Sequence, residues 1–194
     1  MFLFDVETLG KQTNSVVLSM ACVYFNPDEL PSLDYLKNNQ TFFVKFNVED
    51  QVKRLKRTMQ KSTMEWWNKQ CDIVKQKSFI PDSNRDVVID DGIEMLREWS
   101  KTKPDNDKCW IFARGNLDQL IIDAVEEQLE KKPVFVHNRW RDVRTSIDFL
   151  YGTTNGYCDV DYPGFDPAIN IYKHDPVDDC IYDIMMLIYG KKTQ

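Results

Sequence analysis

Asp5-Val6-Glu7 closes a short apolar run, Phe2-Leu3-Phe4, at the start of the chain. In a strand, residues i and i+2 share a face, so Asp5 and Glu7 project side by side while Val6 faces the other way. Two like charges held together are costly unless something compensates them, and a divalent cation does this well. Standing alone, the pair reads as solvated acids on a frayed terminal strand as readily as a metal site. Three further residues bear on the choice. Asp118 stands at a helix start just after an apolar strand; His174 precedes a helix, and Asp179 lies in that helix's first turn. Singly, Asp118 and Asp179 are explained by the favourable field at a helix N-terminus. His174 alone reads as a surface or capping residue, and His137 sits in a polar stretch without acids at useful spacing.

The elements that must position these residues follow from the apolar pattern. Met1 to Glu7, Val16 to Phe25 and Thr41 to Phe46 read as three strands. The first two are joined closely enough for a hairpin, so the chain is expected to open as an antiparallel meander. Asn26 to Gln40 reads as an irregular loop. Ser62 with Glu65 resembles a capping box, which starts a helix at Thr63 carrying Met64, Trp66 and Trp67. Phe79 to Arg85 reads as a loop, and Val87 to Lys101 as a helix with Ile89, Ile93, Leu96 and Trp99 on one stripe. Gly92 inside it costs about 1 kcal/mol relative to alanine. Cys109 to Ala113 is a short buried strand. A strand after a helix suggests a parallel neighbour joined by a crossover. Asn116 is a good N-cap for a helix to about Glu130. Pro133 to Val136 reads as a further short strand, and Asp142 caps a helix over Val143 to Tyr151. Residues 152–173 lack periodicity, and a loop of that length is usually functional or mobile. Asp175 at the N-cap, Pro176 at the first helical position and Asp178 at the capping-box position start the last helix, which runs to about Tyr189.

The 194 residues suffice for one domain with a sizeable core, expected over 1–190 with a tail at 191–194. No run is long enough for a membrane span, and no basic segment followed by an apolar one opens the chain, so export is not expected. Cys22, Cys71, Cys109, Cys158 and Cys180 are scattered and lack CxxC spacing, which fits a reducing cytoplasm and disfavours a thiolate metal site. The net charge of −6 argues against a protein that coats nucleic acid electrostatically, but not against one that grips a strand end locally. Lys53, Arg54, Lys56, Arg57 and Lys61 form one basic cluster, read as a solvated face. Arg139, Arg141 and Arg144 form another. Asp159, Asp161 and Asp166 lack the glycine and terminal glutamate of an EF-hand loop.

Taken in order, Asp5-Val6-Glu7-Thr8, then Gly115-Asn116-Leu117-Asp118, then His174-Asp175-Pro176-Val177-Asp178-Asp179 resemble the motifs of the DEDDh (DnaQ-like) group of 3′-5′ exonucleases. With Arg114 to Ile121 and Trp140-Arg141-Asp142-Val143-Arg144-Thr145, the chain is similar to the branch that contains exonuclease A of T-even-like bacteriophages. The resemblance extends from Phe4 to the last helix. The family's common Thr-Thr-Gly is Thr8-Leu9-Gly10 here, the usual aromatic before the second Asp is Leu117, and Asp175-Pro176 replaces small residues after the histidine. Periodicity does not choose between Asp178 and Asp179, because the last helix is apolar around much of its circumference; spacing from His174 chooses Asp179.

The resemblance implies an α/β, ribonuclease-H-like mixed sheet flanked by helices, with parallel strands after the meander. It implies two Mg²⁺ ions, with Mn²⁺ an alternative, held by Asp5, Glu7, Asp118 and Asp179. Two hard cations about 4 Å apart suit phosphodiester hydrolysis. His174 would be the general base. The implied substrate is the 3′ end of single-stranded DNA, released as nucleoside 5′-monophosphates in the cytoplasm (the host's, if phage-encoded). An exoribonuclease and a non-catalytic single-strand-binding module on the same fold are the alternatives. Thr8, Leu9, Arg114, Asn116, Trp67, Arg141 and Arg144 are the expected strand contacts, with Leu9 as a wedge beside the terminal base and Trp67 as a stacking platform. A metal-bridging carboxylate needs a fixed mount, so the first strand is expected inside the sheet rather than on its edge.

Overall fold

Alternation along the first strand settles where the acids point. In a computed structural model, which describes residues 1–191, β1 (Phe2–Thr8) is covered on both faces. Phe2, Phe4 and Val6 enter one apolar cluster, and Leu3 enters another. Asp5 and Glu7 continue the Leu3 face.

β1 pairs antiparallel along its length with β2 (Val17–Tyr24), which pairs antiparallel with β3 (Thr41–Lys45). Between β2 and β3 lies α1 (Leu33–Asn39), where a loop was expected; the Ser32 side chain accepts the Tyr35 N–H at 3.2 Å and buried Leu36 anchors it. The chain continues through α2 (Val48–Lys53), α3 (Lys61–Trp67) and α4 (Asp72–Val74), which runs into a π-helical turn at Lys75–Phe79. α3 starts two residues before the expected position, with Gln60 at its cap, so Ser62 is not a capping residue.

α5 (Ile89–Lys101) begins after Val87, whose backbone instead bonds to Lys45 and Asn47 beside the end of β3. β4 (Ile111–Ala113) then pairs in parallel with β1, and α6 (Leu117–Gln128) follows. Residues 133–136 do not form the expected strand. The Glu126 carboxylate accepts the Val134 N–H at 2.7 Å, and Phe135 plugs into the core. The fifth strand is β5 (Trp140–Asp142), parallel to β4, and α7 (Val143–Tyr151) starts directly after it with Asp142 accepting the Thr145 N–H.

The sheet is thus five-stranded in the order β3-β2-β1-β4-β5. β1 occupies its centre, as expected of a strand that must hold a carboxylate in place. The 152–173 stretch carries β6 (Asp159–Val160) and α8 (Pro167–Asn170). α9 (Pro176–Tyr189) packs across β1 and β2, and β7 (Gly190–Lys191) pairs with β6. The expected tail lies outside the described residues apart from Lys191. Among the described residues, no helix is long and apolar enough to cross a membrane.

One face of the sheet packs on α5 and α6 through Ile89, Ile93, Leu96, Ile121 and Val125; the other packs on α7 and α9 through Val143, Ile147, Cys180, Ile181 and Ile184. All of these are essentially inaccessible to solvent. The first basic cluster is largely neutralised: Lys53 pairs with Glu49, Arg54 with Asp50 and Asp90, and Arg57 is buried, donating to the carbonyls of Ser15 and Thr13.

Candidate active site

β1 and β4 are paired only at Phe2–Leu3 and Ile111–Phe112, so the two strands part before Asp5. The opening at their C-terminal ends is a cleft of about 640 Å³. Ligands of open α/β sheets gather in such crevices. Asp5 and Glu7 enter it from β1, Asp118 from the first turn of α6, and His174 and Asp179 from the start of α9. One donor atom each from Glu7, His174 and Asp179 lies within 4.8 Å of the others.

Local chemistry explains how α9 presents its pair. The Asp175 side chain accepts the N–H groups of Val177 and Asp178, and Pro176 fills a position that needs no donor. His174 then adopts a left-handed backbone, φ 70°, a conformation uncommon for a residue other than glycine. Its N–H donates to Asp179 Oδ2 at 3.0 Å, which ties the histidine to the carboxylate five residues on. Asp178 points away: it bonds the Tyr172 N–H and pairs with Lys37 at 2.7 Å. Asp179, not Asp178, faces the cleft.

The acids repel one another in a poorly solvated place. Burial first, then Asp118, Glu7 and Asp179, raises the Asp5 pKa well above the carboxylate range. Glu7 is raised likewise, by burial and then Asp179. Burial lifts Asp118 and Asp179 to about 7, against hydrogen bonds from the Val6 and His174 backbones. Asp5 Oδ2 is out of solvent and has no hydrogen-bond partner among the described residues. Oxygen donors of this density, one of them unpartnered, fit hard divalent cations. Burial and the Lys173 charge lower the His174 pKa, which favours the neutral imidazole.

The expected strand contacts divide. Arg144 borders the cleft and makes no ion pair or hydrogen bond among the described residues. Asn116 lines an adjoining cavity instead. Trp67 is not a stacking platform: it is fully buried, stacks on Phe79 and donates its indole N–H to the Thr8 carbonyl at 3.0 Å. Leu9 is not a wedge, because it is buried in the same small cluster. Thr8 lies outside the cleft lining, and its hydroxyl donates to the Gly10 carbonyl at 2.6 Å. Arg114 borders the cleft but is committed to Asp183, from Nε at 3.0 Å and Nη2 at 2.5 Å, and to the Gly156 carbonyl at 3.0 Å.

Residues not expected from the sequence complete the walls. Asp183 stands one helical turn after Asp179, a spacing that alone could have flagged it. Trp66, partly exposed, sets its ring edge-to-face on His174 at 4.6 Å. Tyr157, Pro167, Ile171 and Lys173 come from the 152–173 stretch, where no periodic signal marked them.

The chain is 25% identical to the exodeoxyribonuclease of Enterobacteria phage T4 over 207 residues, covering 97% of this chain and 88% of that one. Its fold superposes with a TM-score of 0.61 on the nuclease domain of 3'hExo, a DEDDh family member bound to rAMP; identity is 14%, and the match covers 96% of this chain and 88% of that one. The family described as the 3'-5' exoribonuclease Rv2179c-like domain matches residues 1–189. The chain belongs to that family, and is a 3′-5′ exonuclease acting on nucleic acid.

Proposed function

We propose that the chain removes nucleotides from the 3′ end of single-stranded DNA, releasing nucleoside 5′-monophosphates, with Asp5, Glu7, Asp118, Asp179 and His174 as its catalytic set. The observation that carries this reading is the convergence of these five residues from three separate elements on one cleft. Asp5, Glu7, Asp118 and Asp179 would hold divalent cations, Mg²⁺ by the hardness of the donors. When bound, these supply the Lewis-acid charge that phosphodiester hydrolysis needs.

The chain's own side chains do the rest. Water attacks phosphorus, and its proton passes to the unprotonated imidazole nitrogen of His174. The Trp66 edge and the Asp179 bond to the His174 backbone hold that ring at the cleft wall. As the P–O3′ bond breaks, the upstream strand keeps its 3′ oxygen and takes a proton. Arg144 and Lys173 offer positive charge to the phosphate. Leu117, Pro167 and Ile171 give the terminal base an apolar surface in the same cleft.

DNA is favoured by the 25% identity to the T4 exodeoxyribonuclease along nearly the whole chain. The exoribonuclease-like family description favours RNA as the second reading. Matched DNA and RNA oligonucleotides, 5′-labelled to reveal 3′ shortening, with Mg²⁺, Mn²⁺ or EDTA, test both. Faster metal-dependent shortening of DNA supports the first reading, and faster loss of RNA replaces it with the second. No metal-dependent shortening of either would return the chain to a binding role.

A further inference from the structure

A second cavity adjoins the acid cleft. It measures about 400 Å³ and lies beyond the C-terminal ends of β4 and β5. Asn116, Gln119, Arg141, Asp142 and Arg144 line it, and Arg144 borders both spaces. Its one carboxylate is already committed. Asp142 Oδ2 accepts the Gly115 N–H at 2.7 Å, while Oδ1 accepts the Thr145 N–H and hydroxyl at 2.7 and 2.6 Å.

The cations are not committed in the same way. Among the described residues Arg141 uses only Nη1, on the carbonyls of Asn138 and Trp140, and lays its guanidinium over the Trp110 ring at 5.0 Å. Arg144 has no ion-pair or hydrogen-bond partner among the described residues, and its charge acts favourably on the carboxylates of Asp118, Asp142 and Asp183 without offsetting the burial that raises Asp118 and Asp183. The Asn116 side chain makes no cap bond, although it stands at the start of α6.

We infer that this cavity seats the nucleotide on the 5′ side of the scissile phosphodiester: Arg144 spans the border between the two nucleotides, Arg141 takes the next phosphate upstream, and the Asn116 and Gln119 amides meet the base or sugar. This rests on the nuclease reading of the acid cleft. An anionic chain reaching a protein of net charge −6 needs fixed local cations. Two guanidinium groups with free donors, one step from the acids, provide them. The Asp142 bond to Gly115 also ties this cavity to the turn that carries Asp118, so the upstream nucleotide and the reacting phosphate share one rigid frame.

The test compares two substrates. A single-stranded oligonucleotide has the upstream nucleotide; the p-nitrophenyl ester of thymidine 5′-monophosphate has the scissile bond but replaces that nucleotide with p-nitrophenol. In Arg141→Gln and Gln119→Ala, KM for the oligonucleotide is expected to rise about 3- to 30-fold, the range of one lost polar contact. kcat/KM for the ester should stay within about twofold. Arg141→Gln should also flatten the salt dependence of oligonucleotide KM by about one power of concentration. Arg144→Gln, on the shared border, should impair both substrates. Unchanged oligonucleotide KM in both Arg141→Gln and Gln119→Ala overturns the subsite, as does a parallel fall in ester cleavage at equal melting temperature. A wild-type protein that cleaves neither substrate would instead overturn the nuclease reading itself.

Discussion

Asp5 stands on a central strand with neighbours on both sides, yet it carries a charge that its surroundings oppose. One of its oxygens has no hydrogen-bond partner among the described residues, and four acids crowd it. Such a group costs stability unless it is protonated or balanced by a cation. Asp5→Asn should therefore abolish cleavage while raising the melting temperature in EDTA by about 2–6 °C, on the usual scale of 2–4 °C per kcal/mol. It should also lose most of the stabilisation that Mg²⁺ or Mn²⁺ gives the wild type. Thermal melts with and without metal check all three outcomes. His174 is separable from binding. His174→Ala should lower kcat by about 10²- to 10⁴-fold, the usual contribution of a general base, with KM nearly unchanged. A rise in KM at constant kcat would deny it that role. At this same scale the structure exchanged the two tryptophans. Trp67 holds up the end of β1 from inside the core, and its neighbour Trp66 reaches the histidine.

Among the elements, α5 shows how close packing overrides local preference. Alanine at Gly92 would favour the helix by about 1 kcal/mol. A Cβ there would overlap Cε1 of buried Phe46 at the end of β3. Gly92→Ala is thus expected to destabilise the fold by about 1–3 kcal/mol, read by denaturant midpoint; a gain in stability would mean that Phe46 gives way freely. α6 also holds a titrating group outside the acid cluster, two turns beyond Asp118. Glu126 is buried, and burial lifts its pKa to about 7 despite the Val134 N–H it accepts. A carboxyl whose folded pKa exceeds its unfolded value favours the fold at low pH, and that contribution is lost as pH rises through the folded value. Between about pH 4.5 and 7 the wild type should therefore lose up to about 3 kcal/mol from this group. Glu126→Gln keeps an oxygen for the Val134 N–H and should remove this slope, so the variant gains on the wild type at pH 8 but not at pH 4. Parallel slopes would show that Glu126 is not the source.

For the molecule as a whole, net charge and site charge point the same way. The chain carries −6, and its cleft concentrates Asp5, Glu7, Asp118, Asp179 and Asp183. Without cations, the cleft repels a phosphodiester chain as well as lacking the charge to react with it. EDTA is expected to abolish cleavage and to weaken binding of a labelled oligonucleotide by at least about tenfold, with excess Mg²⁺ restoring both. Fluorescence anisotropy measures the binding term. Strand affinity indifferent to EDTA would place the strand elsewhere on the surface. Arg114 matters at this scale too. It joins β4, the Asp183 turn of α9 and the Gly156 region, and stacks on Tyr157 at 4.2 Å, so it holds the wall of the cleft rather than the substrate.

What the sequence determined by itself is what short-range geometry controls. The i, i+2 relation set Asp5 and Glu7 on one face of β1, and Asp175-Pro176 started α9; the choice of Asp179 over Asp178 came from the resemblance to the family's motif spacing. The three opening strands were readable because their apolar, strand-forming residues are bounded by polar turns. The tertiary structure alone decided which faces met. Arg114 and Asp183 are far apart in the chain, Trp66 and Trp67 are adjacent and differ only in which side of α3 the core covers, and Leu9 is a wedge or a core residue according to what packs on it. β5 was missed because three residues carry too little periodicity to announce a strand, and its edges are fixed by pairing with β4. Local rules act through bonds and nearest turns; burial and ion pairing act across the whole fold, and the cleft depends on both.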